Sequence, residues 1–178
     1  MSIWIWVALA VVLVGLYLSW TAGRLDRLHA RIDAAKAGLD AQLLRRSSAT
    51  LELSTSTLLD PAASVLLYQA AHAARTASEE GRELAESELS QALRAVFAEP
   101  EQVKELHGLV GGEEYVVELS SAVRRVPMAR TFHNDSVRAA RAVRRHRIVR
   151  LFRLAGYAPF PQTVEIDDEA PPVLVAPA

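Results

Sequence analysis

The sequence predicts an all-α protein: an N-terminal transmembrane helix, then an antiparallel bundle of three to four long helices, then a disordered C-terminal tail. Three observations carry this. Eighteen uncharged residues, IWIWVALAVVLVGLYLSW, run from Ile3 to Trp20. Between Leu25 and Gly156 apolar residues recur at spacings of three and four, the period of a helix face. Beyond Gly156 come five of the eight prolines and four acids, a composition that favours loose chain over a packed element. The resulting division is 1–23 as anchor, 24–156 as bundle and 157–178 as a Pro-rich acidic tail, largely disordered, with one short extended piece expected at Gln162 to Ile166.

The apolar run is long enough to cross roughly 30 Å of hydrocarbon as a helix. Trp4 and Trp6 at one end, with Tyr17 and Trp20 at the other, suit the two headgroup levels. A cleaved signal peptide would need a basic leader, a shorter apolar stretch and a small-residue cleavage site, and SWTAG is a poor one. Arg24, Arg27, Arg31 and Lys36 follow the run, so the expected protein is single-pass in the cell membrane, N-terminus outside and bundle in the cytoplasm.

Leu25, Leu28, Ile32, Ala35, Leu39 and Leu43 then form one helical stripe. A seam of this kind pairs equally well with later helices of the chain or, as a coiled coil, with a second copy. The serines and threonines of RRSSATLELSTSTLLD compete for backbone hydrogen bonds and end this helix between Thr50 and Leu59. Asp60-Pro61 supplies an N-cap followed by a proline at the first helical position. A second helix is expected from there to Phe97, with Gly81 its weak point. Pro100 opens a short helix that Gly111 and Gly112 close. A last long helix is expected from near Glu113, kinked at Pro127, and running to a stop at Gly156.

Charge is sorted along the chain although the net is −1. Residues 21–60 sum to +1, 61–120 to −7, 121–155 to +9 and 156–178 to −4. Seven arginines, Arg138, Arg141, Arg144, Arg145, Arg147, Arg150 and Arg153, crowd the last helix and are the candidate partner- or lipid-binding residues. At about 100° per residue they spread around the whole helix, unlike the single stripe of an interfacial helix. Three readings stand: solvated faces, pairing with the acidic run Glu79, Glu80, Glu83, Glu86 and Glu88, or contact with an external anion. Nucleic acid is not expected, because no binding motif is present, Phe152 is the only aromatic among the arginines, and the acidic run repels phosphate. Anionic lipid is better placed, provided that the C-terminal helix folds back towards the membrane.

No catalytic, cofactor-binding or metal site is expected. Without cysteine there is no thiolate nucleophile or thiolate metal site. His29, His72, His107, His133 and His146 form no pair at metal-ligand spacing and read as surface or cap residues. GLVGG at 108–112 lacks the preceding strand and following Lys-Ser/Thr of a phosphate loop, so it reads as a turn.

Two stretches carry a resemblance. IDAAKAGLDAQLLRR, Ile32 to Arg46, resembles the first soluble helix of the LemA family, V-x-x-A-W-x-x-I-D-V-Q-L-x-R-R, at Leu39, Asp40, Gln42, Leu43, Arg45 and Arg46. VPMARTFHNDSV, Val126 to Val137, resembles that family's I-A-x-A-R-x-x-Y-N-D-x-V at Ala129, Arg130, Asn134, Asp135 and Val137, with His133 in place of Tyr. FRLAGYAPFP is similar to its closing segment. The resemblance implies a membrane-anchored bundle of long helices, and its motifs carry no assigned chemistry. The family's H-D-L-I-P-N-L-V after the paired arginines is SSATLELS here. Its second Tyr-Asn is Ala140-Arg141 and its Phe-Pro break is His146-Arg147, so the last helix is expected to run on where relatives stop.

Together these features imply a non-catalytic, membrane-anchored scaffold or partner-binding protein, whose partner is another protein or a second copy. The alternative is a lipid-binding or lipid-organising module that works through the arginine-rich helix.

Overall fold

A computed structural model of the chain describes residues 2–146, 149, 151–152 and 160–175. All regular structure among them is helical: α1 Ser2–Thr55, α2 Pro61–Thr76, α3 Arg82–Val96, α4 Pro100–Gly108, α5 Gly112–Arg144 and a last single turn, α6, Pro172–Val175. One helix, α1, is long and apolar enough at its N-terminal end to cross a membrane. The chain divides into two compact units. One comprises Met1–Lys36 with Phe132–Thr163, the other Ala37–Thr131 with Val164–Ala178, so α1 and α5 each contribute to both.

In the larger unit α1 ends at Thr55, inside the expected interval. Its serines and threonines do not break it earlier because their hydroxyls donate back to carbonyls one turn before: Thr50 to Arg46 at 2.8 Å, Ser47 to Leu44 at 2.9 Å and Ser54 to Leu51 at 2.8 Å. The reversal that follows holds Thr57 at φ 63°, in the left-handed region. Asp60 then caps α2 by accepting from the Ala62 and Ala63 amides, with Pro61 in the first turn. The helix expected from Pro61 to Phe97 is two helices. The chain leaves helical geometry after Thr76 and re-enters at Arg82, with Gly81 in the N-cap position, and α2 and α3 then pack side by side. Glu99 and Gln102 form a reciprocal capping box at the start of α4. α4 ends at Gly108, Gly111 at φ 81° turns the chain towards α5, and a Cβ on Gly112 would collide with the Leu106 carbonyl.

The core of this unit gathers Leu53, Leu67, Ala71, Leu89, Leu93, Phe97, Leu106, Leu119, Val123 and Leu174, and a smaller cluster joins Leu39, Leu43, Val126 and Ile166. Ile166 ends the short extended piece expected in the tail, whereas Leu174 belongs to the part expected to be disordered. Residues 164–175 instead lie along the unit, because Ile166 and Leu174 supply buried apolar anchors that the high proline count does not cancel.

In the smaller unit the first part of α1 runs antiparallel to the end of α5. Ile32 clusters with Val137 and Ala140, and Leu25 with Val143, so the register is steady at one step down α1 per step up α5. The helix α5 continues through Pro127 but leaves helical geometry at Arg145 and His146, well before Gly156. Val149 also joins the Leu25 cluster. Positions six apart on a continuous helix point about 240° apart, so Val143 and Val149 reach the same leucine only if the helix breaks between them.

Candidate functional site

The second of the paired arginines of the first motif, Arg46, builds a buried polar cluster. Arg46 lies on the face of α1 turned to α3, and both it and Glu86 are 2–3 % exposed. Its Nη2 donates to Glu86 Oε2 at 2.6 Å and to the Glu86 carbonyl at 3.0 Å, while Nη1 donates to Ser90 Oγ at 2.8 Å. Ser90 Oγ donates on to the Asp167 carbonyl at 2.6 Å. Burial pushes the Glu86 carboxyl up from its ordinary range, and the Arg46 guanidinium opposes that shift. Short charge-assisted bonds on Glu86 are the reason for reading it as ionised.

Other motif residues staple the same unit. Arg45 grips Glu118 of α5 through two parallel bonds, 2.7 and 2.8 Å, which hold the Glu118 carboxyl low. Asp40 meets Arg82 at 3.1 Å. Arg130 grips Asp168 in the same two-pronged way at 2.7 and 3.0 Å. Arg94 pairs with Asp167 and holds that carboxyl below the usual carboxylate range. Leu39, Leu43 and Ala129 supply apolar packing, and Gln42 is half-buried beside them. In the smaller unit Asn134 and Val137 are buried, and Asp135 pairs with Arg138 one turn on, at 3.0 Å. His133 is buried as well, contrary to its expected surface or cap place.

The arginine-rich segment is not one uniform face. Arg138 is held by Asp135. Arg141 and Arg144 flank the Phe160 ring at 5.3 and 5.2 Å, and Arg141 Nε also donates to the Pro161 carbonyl at 2.7 Å. Arg145 and His146 are exposed where the helix breaks. Arg147, Arg150 and Arg153 lie outside the described residues. Within the acidic run, Glu86 is held by Arg46 and Glu83 accepts from the Glu165 amide at 3.0 Å, whereas Glu80 and Glu88 are exposed. Glu79 is exposed too and makes an interaction of its own.

Sequence reasoning missed three partners: Asp167, Asp168 and Phe160. The signal was present in the alternation of Val164 and Ile166 with polar neighbours, which marks a half-buried extended segment more strongly than the surrounding prolines mark disorder. Among the described residues no group of three or more His, Asp or Glu is placed to hold a metal ion. No family model, curated protein or solved structure matches the chain.

Proposed function

We propose that this protein is a single-pass membrane protein whose helical part is a non-catalytic scaffold, held at the cytoplasmic face and working by binding another protein or a second copy of itself. The observation that supports it is a contrast between inside and outside. The interior is stitched shut by Arg46, Glu86 and Ser90 with apolar packing around them. The outer surface leaves Val65, Leu66, Tyr68, Leu84, Val117 and Met128 exposed. Between α2 and α3 an open groove lined by Leu66, Ala70, Ala73, Ala92 and Ala95 adds shape to that surface.

Photo-crosslinkable residues at Leu84, Val117 and Met128 of the full chain, in its native membrane, test the reading. Discrete adducts that recur from one or more positions are expected. Absence of an adduct from all three overturns it.

A further inference from the structure

The first positive charges after the apolar run are carried back to its edge. Arg24 and Arg27 are the first two basic residues beyond Trp20, and with it they fall within a sector of about 60° on α1. All three side chains are exposed. The arginine Cα atoms lie about 6 and 10.5 Å beyond that of Trp20 along the helix axis, but their guanidinium groups lie nearer. Arg24 sits over the Trp20 ring, 6.0 Å from its centroid, and Arg27 Nη1 comes within 3.7 Å of where a Cβ on Gly23 would stand. Long side chains on a helix lean towards its N-terminus, and here that direction is back towards the apolar run.

The two groups therefore stand at the levels of Trp20 and Gly23, about 4.5 Å apart along the axis. With Trp20 at the hydrocarbon edge, both fall within the polar headgroup layer, about 5–8 Å deep on each side. Arg31 follows in the same sector, but about 16 Å of helix beyond Trp20, and its guanidinium lies over the Phe132 ring at 5.2 Å. Asp26 and Asp33 lie about 130° and 150° round the helix from the middle of the sector. Among the described residues no carboxylate pairs with Arg24 or Arg27. On the other side of Trp20, Leu16 and Leu13 continue the sector into the apolar run, 63 and 57 % exposed. Two guanidinium groups without a counter-charge, above an indole and a strip of apolar surface, match the outline of one phospholipid: phosphate at the top, acyl chain below.

Resting on the proposed anchoring of α1, we propose that Arg24 and Arg27, framed by Trp20 and Gly23, bind the phosphate of an anionic phospholipid in the leaflet where the span ends. The planar fork of each arginine suits a phosphate oxygen pair, and one phosphodiester can accept from both. Phosphatidylcholine carries its own cation beside the phosphate, which opposes the two arginines, whereas an anionic headgroup such as phosphatidylglycerol does not. Gly23 gives the site its shape, because the missing side chain leaves the space over which Arg27 lies back.

The chain holds three tryptophans, so Trp4→Phe with Trp6→Phe leaves Trp20 as the single reporter. That full-length variant is placed in phosphatidylcholine vesicles containing a minor fraction of a lipid brominated near the glycerol end of its acyl chains, either phosphatidylcholine or phosphatidylglycerol. Both are expected to quench Trp20, with a preference for the anionic lipid that weakens as NaCl is raised. Arg24→Gln and Arg27→Gln each lower that preference about fivefold, the contribution of one basic group at an anionic surface. Gly23→Leu keeps the charge but fills the space of the Arg27 guanidinium, and lowers the preference too, whereas Arg31→Gln leaves it as it was. The site is overturned by equal quenching from the two lipids, or by a preference that survives loss of both arginines, ignores Gly23→Leu or falls as far with Arg31→Gln. Displacement of the anionic lipid by inorganic phosphate at matched ionic strength overturns it as well. In each of these cases a quenched Trp20 leaves the anchor standing. A Trp20 quenched by neither lipid overturns the anchor, and the site with it.

Discussion

Arg46 carries a charge out of water; its partners Glu86 and Ser90 both sit on α3, and Ser90 donates on to the Asp167 carbonyl. Replacing Arg46 by Met strands a buried carboxylate, and such losses cost about 3–5 kcal/mol. The stranded Glu86 then prefers its proton, because burial raises its folded pKa above the unfolded value of about 4.3. Stability of Arg46→Met therefore recovers as pH falls towards that value and is lost as pH rises through the folded pKa. Urea titration of the detergent-solubilised chain at several pH values, followed by circular dichroism, checks this. The double variant Arg46→Met with Glu86→Leu is expected to regain most of the loss at neutral pH, as removing both members of a buried pair commonly does. A second residue carries the opposite expectation. Thr57 is β-branched and sits at φ 63°, so Thr57→Asn, which tolerates that region, raises stability by about 1 kcal/mol in the same titration. The role of Arg46 was half legible: the motif pattern singled it out, but no local pattern tells whether an arginine on a helix meets water or a glutamate forty positions away.

At the scale of elements, what the sequence made plain is what depends on neighbours in the chain. The Asp60-Pro61 start and the seam from Leu25 to Leu43 stand where period and capping chemistry put them, and the short helix opened by Pro100 ends at Gly108, three residues before Gly111 turns the chain. What it concealed depends on distant partners. The long helix α5 ends at Arg144 while Val149 beyond it still packs with Leu25, and residues 164–175 are held where Arg94 and Arg130 grip two of their aspartates. That clasp is pH-sensitive with a definite sign. Arg94 depresses the folded pKa of Asp167 below its unfolded value of about 3.9. Its stabilisation is therefore fully present above that value and disappears as pH falls through the folded pKa. The pair is 26 and 32 % exposed, so it contributes at most about 1 kcal/mol. A fluorophore on Pro172→Cys is expected to keep its anisotropy from neutral pH down to about pH 4 and to show a partial drop below, since Ile166 and Leu174 still anchor the segment. Arg94→Gln weakens docking at neutral pH and flattens the acid transition.

For the whole molecule, the proposed anchoring of α1 raises the question of which face of the membrane the helices occupy, and the charge pattern bears on it through timing as much as through energy. Positive-inside selection acts on the flank that emerges next to a span, within about 15–20 residues of it. Here that flank is Arg24, Arg27, Arg31 and Lys36, made long before the arginines of α5 exist. On the proposed topology the +9 of residues 121–155 has no part in setting orientation, although folding later returns the end of α5 to the level of Leu25. A cysteine at Val110, which is fully exposed in the α4–α5 turn, separates the two contributions. In intact cells an impermeant maleimide is expected to leave Val110→Cys unmodified, and to modify it once the membrane is permeabilised. Changing Arg24, Arg27, Arg31 and Lys36 to Gln should make a substantial fraction reactive from outside. Neutralising Arg138, Arg141, Arg144 and Arg145 should leave the labelling pattern as it was. If instead the α5 variant changes sidedness and the α1 variant does not, topology follows the folded charge distribution, and the early flank is not what retains the bundle in the cytoplasm.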